Sequence, residues 1–308
     1  MMRTTMGGRE DDATQKIEIL GSPTERPSAP DNNHDPEVFG LSDVGQVRRQ
    51  NEDSFLVARL ERSMRLMQSS RPFEDDTKVK GPPQGWLMMV ADGMGGHAAG
   101  EVASALTIDA LARYAFTLMP WSLPRSKDDS RVLAKGLRQA VREVQNEMRR
   151  AADEGTGSRG MGTTLTMAYV TWPNLFVVHV GDSRIYALRD GQLYQITRDH
   201  TLAQQLVDSK VMSEDEAESS DFSNVLVNAL GGESEELNIE LHHALLFPND
   251  TLILCSDGLT KHVTKEEICA GLEGLSRGET AESCTRGLVS LANQRGGTDN
   301  VTVVVAHF

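Results

Sequence analysis

Apolar residues recur along the chain in short runs without helical spacing. They occupy 54–60 (SFLVARL), 86–91 (WLMMVA), 163–171 (TTLTMAYVT), 175–181 (LFVVHVG), 184–189 (RIYALR), 192–197 (QLYQIT), 237–246 (LNIELHHALL), 251–256 (TLILCS) and 300–308 (NVTVVVAHF). Bounded by turn formers and rich in β-branched residues, these runs predict strands. The breaks at 171–174 (TWPN) and 189–192 (RDGQ) predict consecutive hairpins, the second with Asp-Gly at its turn. Other stretches follow a 3.6-residue period. Residues 101–118 place Val102, Leu106, Ala110, Tyr114 and Leu118 on one stripe; residues 131–150 place Leu133, Leu137, Val141, Val144 and Met148 on another, with Ser130 as N-cap. Thr264 to Glu267 and Ser213 to Glu216 fit capping boxes, and 280–293 carries Cys284, Leu288 and Leu291 at helical spacing. Many antiparallel strands with a few long helices predict an α+β fold, the helices packed on the outer faces of sheets.

Three segments depart from this pattern. Residues 1–35 are polar, charged and proline-bearing and predict a disordered tail, leaving 36–308 as the folded domain. Residues 61–85, ending in GPPQG, interrupt two strands and are expected to form an inserted loop. Residues 199–235 are helical but charged and weakly apolar, the profile of a mobile lobe over a site.

Composition narrows the function. The chain has 308 residues, 39% of them hydrophobic, and a net charge of -14, which disfavours nucleic acid or anionic lipid as a partner. The three cysteines, Cys255, Cys269 and Cys284, form no C-x-x-C pair and have no histidine at ligand spacing, against a disulfide framework or a zinc site. Cys255 reads as a small buried hydrophobe. No apolar window approaches the length of a spanning helix and no leader is evident, so the expectation is a protein of the cytoplasm without a membrane segment.

Candidate chemistry sits where strands meet loops. LMMVA runs into Asp92-Gly93, FVVHVG into Asp182-Ser183-Arg184 and LILCS into Asp257-Gly258; Asn51-Glu52-Asp53 precedes the first strand and Gly296-Gly297-Thr298-Asp299-Asn300 the last. A rigid sheet can aim such carboxylates into one cleft, and hard oxygen donors without paired His or Cys suit Mg²⁺ or Mn²⁺. Each acid alone also reads as a turn residue, and Asp182 equally as a hairpin or salt-bridge residue; Asp190-Gly191 is a turn only.

The glycines of Asp92-Gly-Met-Gly-Gly-His-Ala98 also match G-x-G-x-x-A, a variant of the dinucleotide fingerprint. That fingerprint requires an acidic residue at the end of the next strand. Here Asp109 falls inside a helical stripe, a second helix precedes the next strand, and Asp92 would set a negative charge beside the pyrophosphate. A dehydrogenase is therefore disfavoured.

Read in order, Ser42-Asp-Val-Gly-Gln-Val-Arg-Arg-Gln-Asn-Glu-Asp53, Val90-Ala-Asp92-Gly-Met-Gly-Gly-His, Gly160-Met-Gly-Thr-Thr-Leu, Val180-Gly-Asp182-Ser-Arg-Ile-Tyr, Cys255-Ser-Asp257-Gly-Leu and Gly296-Gly-Thr-Asp299-Asn-Val resemble the bacterial metal-dependent protein phosphatases of the 2C family. The resemblance spans about 37–308. It implies a sandwich of two antiparallel β-sheets flanked by α-helices, with two Mn²⁺ or Mg²⁺ ions between the sheets at one end. Asp92 would bridge the ions, the Gly93 carbonyl would ligate one, Asp257 and Asp299 would hold the second, and Glu52 would act through bound water. Arg48 would grip the substrate phosphate as a fork and Asp53 would orient water. The implied reaction is direct hydrolysis of phosphoserine and phosphothreonine by hydroxide bridging two metals, without a phospho-enzyme. The implied partners are phosphorylated proteins, a Ser/Thr kinase or its substrates among them, met by a monomer.

Two positions depart from the family pattern. Met94 stands where animal relatives carry a histidine assigned as general acid, and His97 reads as a loop or helix-start residue. The acid of a third, weaker metal site is missing before Gly160, since Asp153 and Glu154 come too early and read as a solvated helix end. An inactive scaffold with the same ligands is the rival, separable by metal-dependent hydrolysis of p-nitrophenyl phosphate.

Overall fold

The unbroken apolar runs become strands covered on both faces, which is why they lack strict alternation. The computed structural model describes residues 15–16, 35–65, 78–95, 99–117, 127–154, 160–218, 220–231 and 237–308. Its strands are β1 (Gln15–Lys16), β2 (Glu37–Asp43), β3 (Asp53–Arg65), β4 (Lys78–Met94), β5 (Gly162–Thr163), β6 (Leu165–Thr171), β7 (Asn174–Val180), β8 (Arg184–Arg189), β9 (Gln192–Gln195), β10 (Glu240–Leu245), β11 (Thr251–Cys255) and β12 (Val301–His307). The helices are α1 (Ala99–Thr117), α2 (Lys127–Asp153), α3 (Leu202–Asp208), α4 (Glu214–Glu218), α5 (Asp257–Thr260), α6 (Lys265–Leu272) and α7 (Ala281–Gln294).

One sheet runs β1-β10-β7-β6-β4-β3 with β5 beside β4; the other runs β2-β12-β11-β8-β9. Pairing is antiparallel apart from the short parallel contact of β1 with β10. Between the sheets, Met88, Val90, Val170 and Val177 meet Ile185, Leu252, Leu254 and Val304. The outer face of the first sheet packs Met89, Met167 and Val178 against α1 and α2, through Leu111, Leu137 and Val141. The outer face of the second packs Ile253, Val303 and Val305 against α6 and α7, through Ile268, Leu288 and Ala292. The expected sandwich with outer helices is the observed architecture.

Both expected hairpins form, the second with Asp190 and Gly191 at φ 52° and 74°, the left-handed pair a two-residue turn needs. The capping box at Thr264 and Glu267 forms, as does the reciprocal pair of Ser213 and Glu216. Other expectations shift. The stripe of α1 is offset: Val102 is 49% exposed, and the buried face is Ala103, Ser104, Thr107, Ile108, Leu111 and Ala115. Small residues let this face approach β4 closely, and a helix so rich in alanine carries too even a pattern for periodicity to choose the side. Helix α2 begins at Lys127, so Ser130 lies inside it and does not cap it. Residues 61–65 and 78–85, expected in a loop, continue β3 and β4 as a long hairpin. Strand β2 was not expected: Gly40 interrupts its apolar pattern, and only pairing with β12 extends it.

The tail expected over 1–35 lies outside the described residues except for Gln15, Lys16 and Asp35. The segment after β9 forms α3, α4 and turns, anchored where His200 N–H donates to the Gly181 carbonyl and Leu230 pairs with Thr163. Among the described residues no helix is long and apolar enough to cross a membrane. All three cysteines are free, and Cys255 is fully buried with its thiol pushed up to about 12 by burial.

Candidate metal centre

The strand-end carboxylates converge at one end of the sandwich. Asp53 opens β3 and faces Asp92 near the end of β4 in direct register. Asp182 follows β7, Asp257 opens α5 after β11, and Asp299 stands two residues before β12. Arg48, Glu52, Asp92, Gly93, Asp257 and Asp299 all line one cavity of about 760 Å³, whereas Asp53, paired with Asp92 and 8% exposed, is buried behind that lining.

Local contacts explain the placement. A Cβ on Gly93 would stand 2.2 Å from the Gly100 carbonyl oxygen and 2.5 Å from that of Glu52, so only glycine lets β4, the first turn of α1 and the Glu52 strand entry meet. The Gly93 amide donates to the Glu52 carbonyl at 3.1 Å, and the Asp92 amide donates to Thr164 Oγ1 at 2.9 Å. Asn300 holds the loop that carries Arg48 and Glu52: its Nδ2 donates to the carbonyls of Val44 and Gln50, each at 2.9 Å, and its Oδ1 accepts from the Glu52 amide at 2.8 Å. Asp53 Oδ2 accepts from Ser256 Oγ at 2.8 Å and Thr302 Oγ1 at 2.6 Å.

The electrostatics are those of crowded acids. Burial, followed by Asp53 and Asp257, raises Asp92 well above the usual carboxylate range. Burial pushes Asp53 up to about 7 against the hydrogen bonds from Thr302 and Ser256, and burial with Asp257 pushes Asp182 up to about 8. Burial acts the same way on Asp299, but Lys261 and Arg48 outweigh it and hold its carboxyl below the ordinary value. Asp53 Oδ1 and Asp257 Oδ1 are buried without a hydrogen-bond partner. Crowded carboxylates, two unpartnered buried oxygens and a glycine-lined floor fit hard divalent cations, which take oxygen ligands.

Several features were not evident from sequence. Asp182 lines the cavity, and the fork of Arg184 goes to Asp199 (Nε to Oδ1 2.9 Å, NH2 to Oδ2 2.6 Å), so the salt-bridge alternative for Asp182 does not hold. Lys261 reaches both Asp257 and Asp299. Asn224 and Leu226 bring the 199–231 segment to the rim. Met94 lines the cavity and has no proton to give; His97 lies outside the described residues. Asp153 and Glu154 are exposed at the end of α2.

A second group of potential ligands, His179, His200 and Glu240, meets near β7 and β10. Three of its four ring nitrogens have hydrogen-bond partners. His200 Nδ1 accepts from the Gly181 amide at 3.0 Å and Asn228 Nδ2 at 2.8 Å, which leaves its proton on Nε2. His179 Nε2 donates to the Arg198 carbonyl at 3.0 Å, and Nδ1 meets Thr166 Oγ1 at 3.0 Å. The group braces the 199–231 segment against β7.

The sequence profile of protein phosphatase 2C matches residues 65–296. The chain belongs to the protein phosphatase 2C family. Within this family it is 44% identical over 220 residues to the serine/threonine protein phosphatase PstP of Mycobacterium tuberculosis, covering 71% of this chain and 40% of that protein. It is 33% identical over 219 residues to the serine/threonine phosphatase stp of Listeria monocytogenes, covering 71% of this chain and 83% of that protein. The catalytic domain of PstP, solved in complex with two manganese ions, superimposes with a TM-score of 0.67 at 34% identity over 88% of this chain and 97% of that one. This 2C-family chain thus spans 40% of the length of the full mycobacterial relative.

Proposed function

We propose that residues 36–308 form the catalytic domain of a metal-dependent protein serine/threonine phosphatase, acting on phosphoserine and phosphothreonine in proteins such as a serine/threonine kinase or its targets. The observation that carries the proposal is the meeting of Glu52, Asp92, Asp257 and Asp299 on one cavity, with the Asp257 Oδ1 lone pairs unclaimed. In this reading Asp92 would serve both of two Mn²⁺ or Mg²⁺ ions, the Gly93 carbonyl would hold one of them, Asp257 and Asp299 would hold the second, and Glu52 would act through bound water. When bound, such a pair lowers the pKa of water and offsets charge on the phosphoryl oxygens.

The chain's own residues position the reactants. Arg48 is half-exposed at the rim, and its fork spans Asp299 with Nε 2.8 Å from Oδ1 and NH2 3.0 Å from Oδ2. The same planar geometry matches two oxygens of a phosphoryl group, so substrate exchanges one anionic partner for another. Asp53, fixed by Ser256 and Thr302, keeps Oδ1 without a partner and so able to accept from a bound water. Asn300 ties down the loop that carries Arg48 and Glu52, which supports these roles.

The test is hydrolysis of a phosphothreonine peptide by the full chain with Mn²⁺. Turnover should vanish with EDTA and return with metal, and Asp92→Asn should lose it by about a thousandfold or more while the circular dichroism spectrum stays native. Substantial turnover by the Asp92→Asn protein at saturating Mn²⁺ would overturn the assignment. A folded protein inert over a range of metals and pH would indicate a scaffold.

A further inference from the structure

Lys261 follows α5 four residues after Asp257, a spacing that returns its side chain along the same helical face. Its Nζ lies 2.6 Å from Asp257 Oδ2 and 2.8 Å from Asp299 Oδ2. One ammonium therefore spans the two carboxylates assigned above to the second ion.

Asp299 has no lone pair to spare. Its Oδ1 accepts from Arg48 Nε at 2.8 Å and the Asn300 amide at 3.0 Å, and its Oδ2 accepts from Lys261 at 2.8 Å and Arg48 NH2 at 3.0 Å. A carboxylate offers about four acceptor positions, so a cation bound by Asp299 must evict one of these donors. The Asn300 amide is main chain, locked by the neighbouring side-chain bonds that hold the 44–52 loop. Arg48 makes two bonds to Asp299, whereas Lys261 makes one and sits on a flexible stem. Lys261 is the donor whose departure clears both carboxylates at once, opening a position on Asp299 and freeing Asp257 Oδ2 beside the unpartnered Oδ1.

We propose that Lys261 is a built-in counter-cation of this centre that competes with the divalent ion for Asp257 and Asp299 and so sets the affinity of the second metal site. The proposal rests on the metal reading of the site. Without metal, the ammonium offsets part of the repulsion among Asp92, Asp182, Asp257 and Asp299 and supports the fold. Metal binding replaces one positive charge by two on the same oxygens, so affinity is lowered by whatever is lost in displacing the lysine.

The experiment is calorimetric titration of the metal-stripped full chain with Mn²⁺, alongside thermal melting with and without the ion. Lys261→Gln and Lys261→Met should each bind one of two ions about tenfold more tightly, since they remove a like charge a few ångströms away. Both should melt lower than wild type without metal and show a larger rise in melting temperature when Mn²⁺ is added. Lys261→Arg, which keeps the charge, should stay closer to wild type. Unchanged or weaker Mn²⁺ affinity in both the Gln and Met proteins would overturn the proposal. Failure of the wild-type chain to bind Mn²⁺ would instead overturn the metal reading on which it rests.

Discussion

Gly93→Ala tests the architecture of the centre most directly. The new methyl would meet three backbone atoms at once: the Gly100 carbonyl oxygen at 2.2 Å, its carbon at 2.4 Å and the Glu52 carbonyl oxygen at 2.5 Å. Ordinary contact begins near 3.4 Å, so about 1 Å of separation must open between β4 and either α1 or the start of β3. Neither neighbour is a flexible side chain. Opening the gap also stretches the 3.1 Å bond from the Gly93 amide to the Glu52 carbonyl. Overpacking of this kind costs about 3 kcal/mol, and at about 2–4 °C per kcal/mol for a domain of this size the melting temperature should fall by about 6–12 °C. The same displacement moves Glu52 relative to Asp92, and a misplacement of about 1 Å in a reacting centre costs about a hundredfold in rate.

The assay pairs a thermal melt with turnover of a phosphothreonine peptide at saturating Mn²⁺. Gly191→Ala is the control. Gly191 lies in the second hairpin at φ +74° with nothing within 4 Å of the added atom, so its cost is about 1 kcal/mol of left-handed backbone strain and turnover stays at the wild-type level. A Gly93→Ala protein that melts and turns over like wild type would refute the close three-way approach at this position.

Two further outcomes are expected. Leu111→Ala, at a position 2% exposed, should destabilise by about 2–5 kcal/mol in urea titration, while Val102→Ala, at 49% exposed, should stay within about 0.5 kcal/mol; the reverse order would restore the stripe read from periodicity. Burial, reinforced by His200, lowers His179 to about 4 from an ordinary 6.5. The unfolded chain then binds a proton over the interval from about pH 6.5 to 4 while the folded chain does not, so stability falls as pH falls through it, by up to about 3 kcal/mol from this group. Urea titrations in EDTA from pH 7 to 4 should show that slope, and His179→Gln should flatten it; an equal slope in the variant would refute the assignment.

The runs LMMVA, FVVHV and LILC were legible as strands because full burial of a strand on both faces demands continuous apolar character, a property written locally. The acids at their ends were legible for the same reason: an abrupt change from apolar to Asp-Gly marks where a strand leaves the core. Strand β2 escaped because Gly40 breaks the pattern and pairing with β12, more than 250 residues away in sequence, makes the strand. The buried side of α1 escaped because alanine-rich helices carry little contrast between faces.

By itself, then, the sequence determined most of the strands and helices, the α+β class and the set of carboxylates that could share a cavity, since each depends on composition and order within a short window; the sandwich was implied only by the family resemblance. Only the tertiary structure decided how those acids are balanced. That Asp182 faces the cavity and Arg184 turns to Asp199, that Asn300 ties down the Arg48 loop, and that Lys261 spans Asp257 and Asp299 all follow from register between distant strands. Charge is exchanged through space over a few ångströms, and a linear pattern carries no measure of that distance.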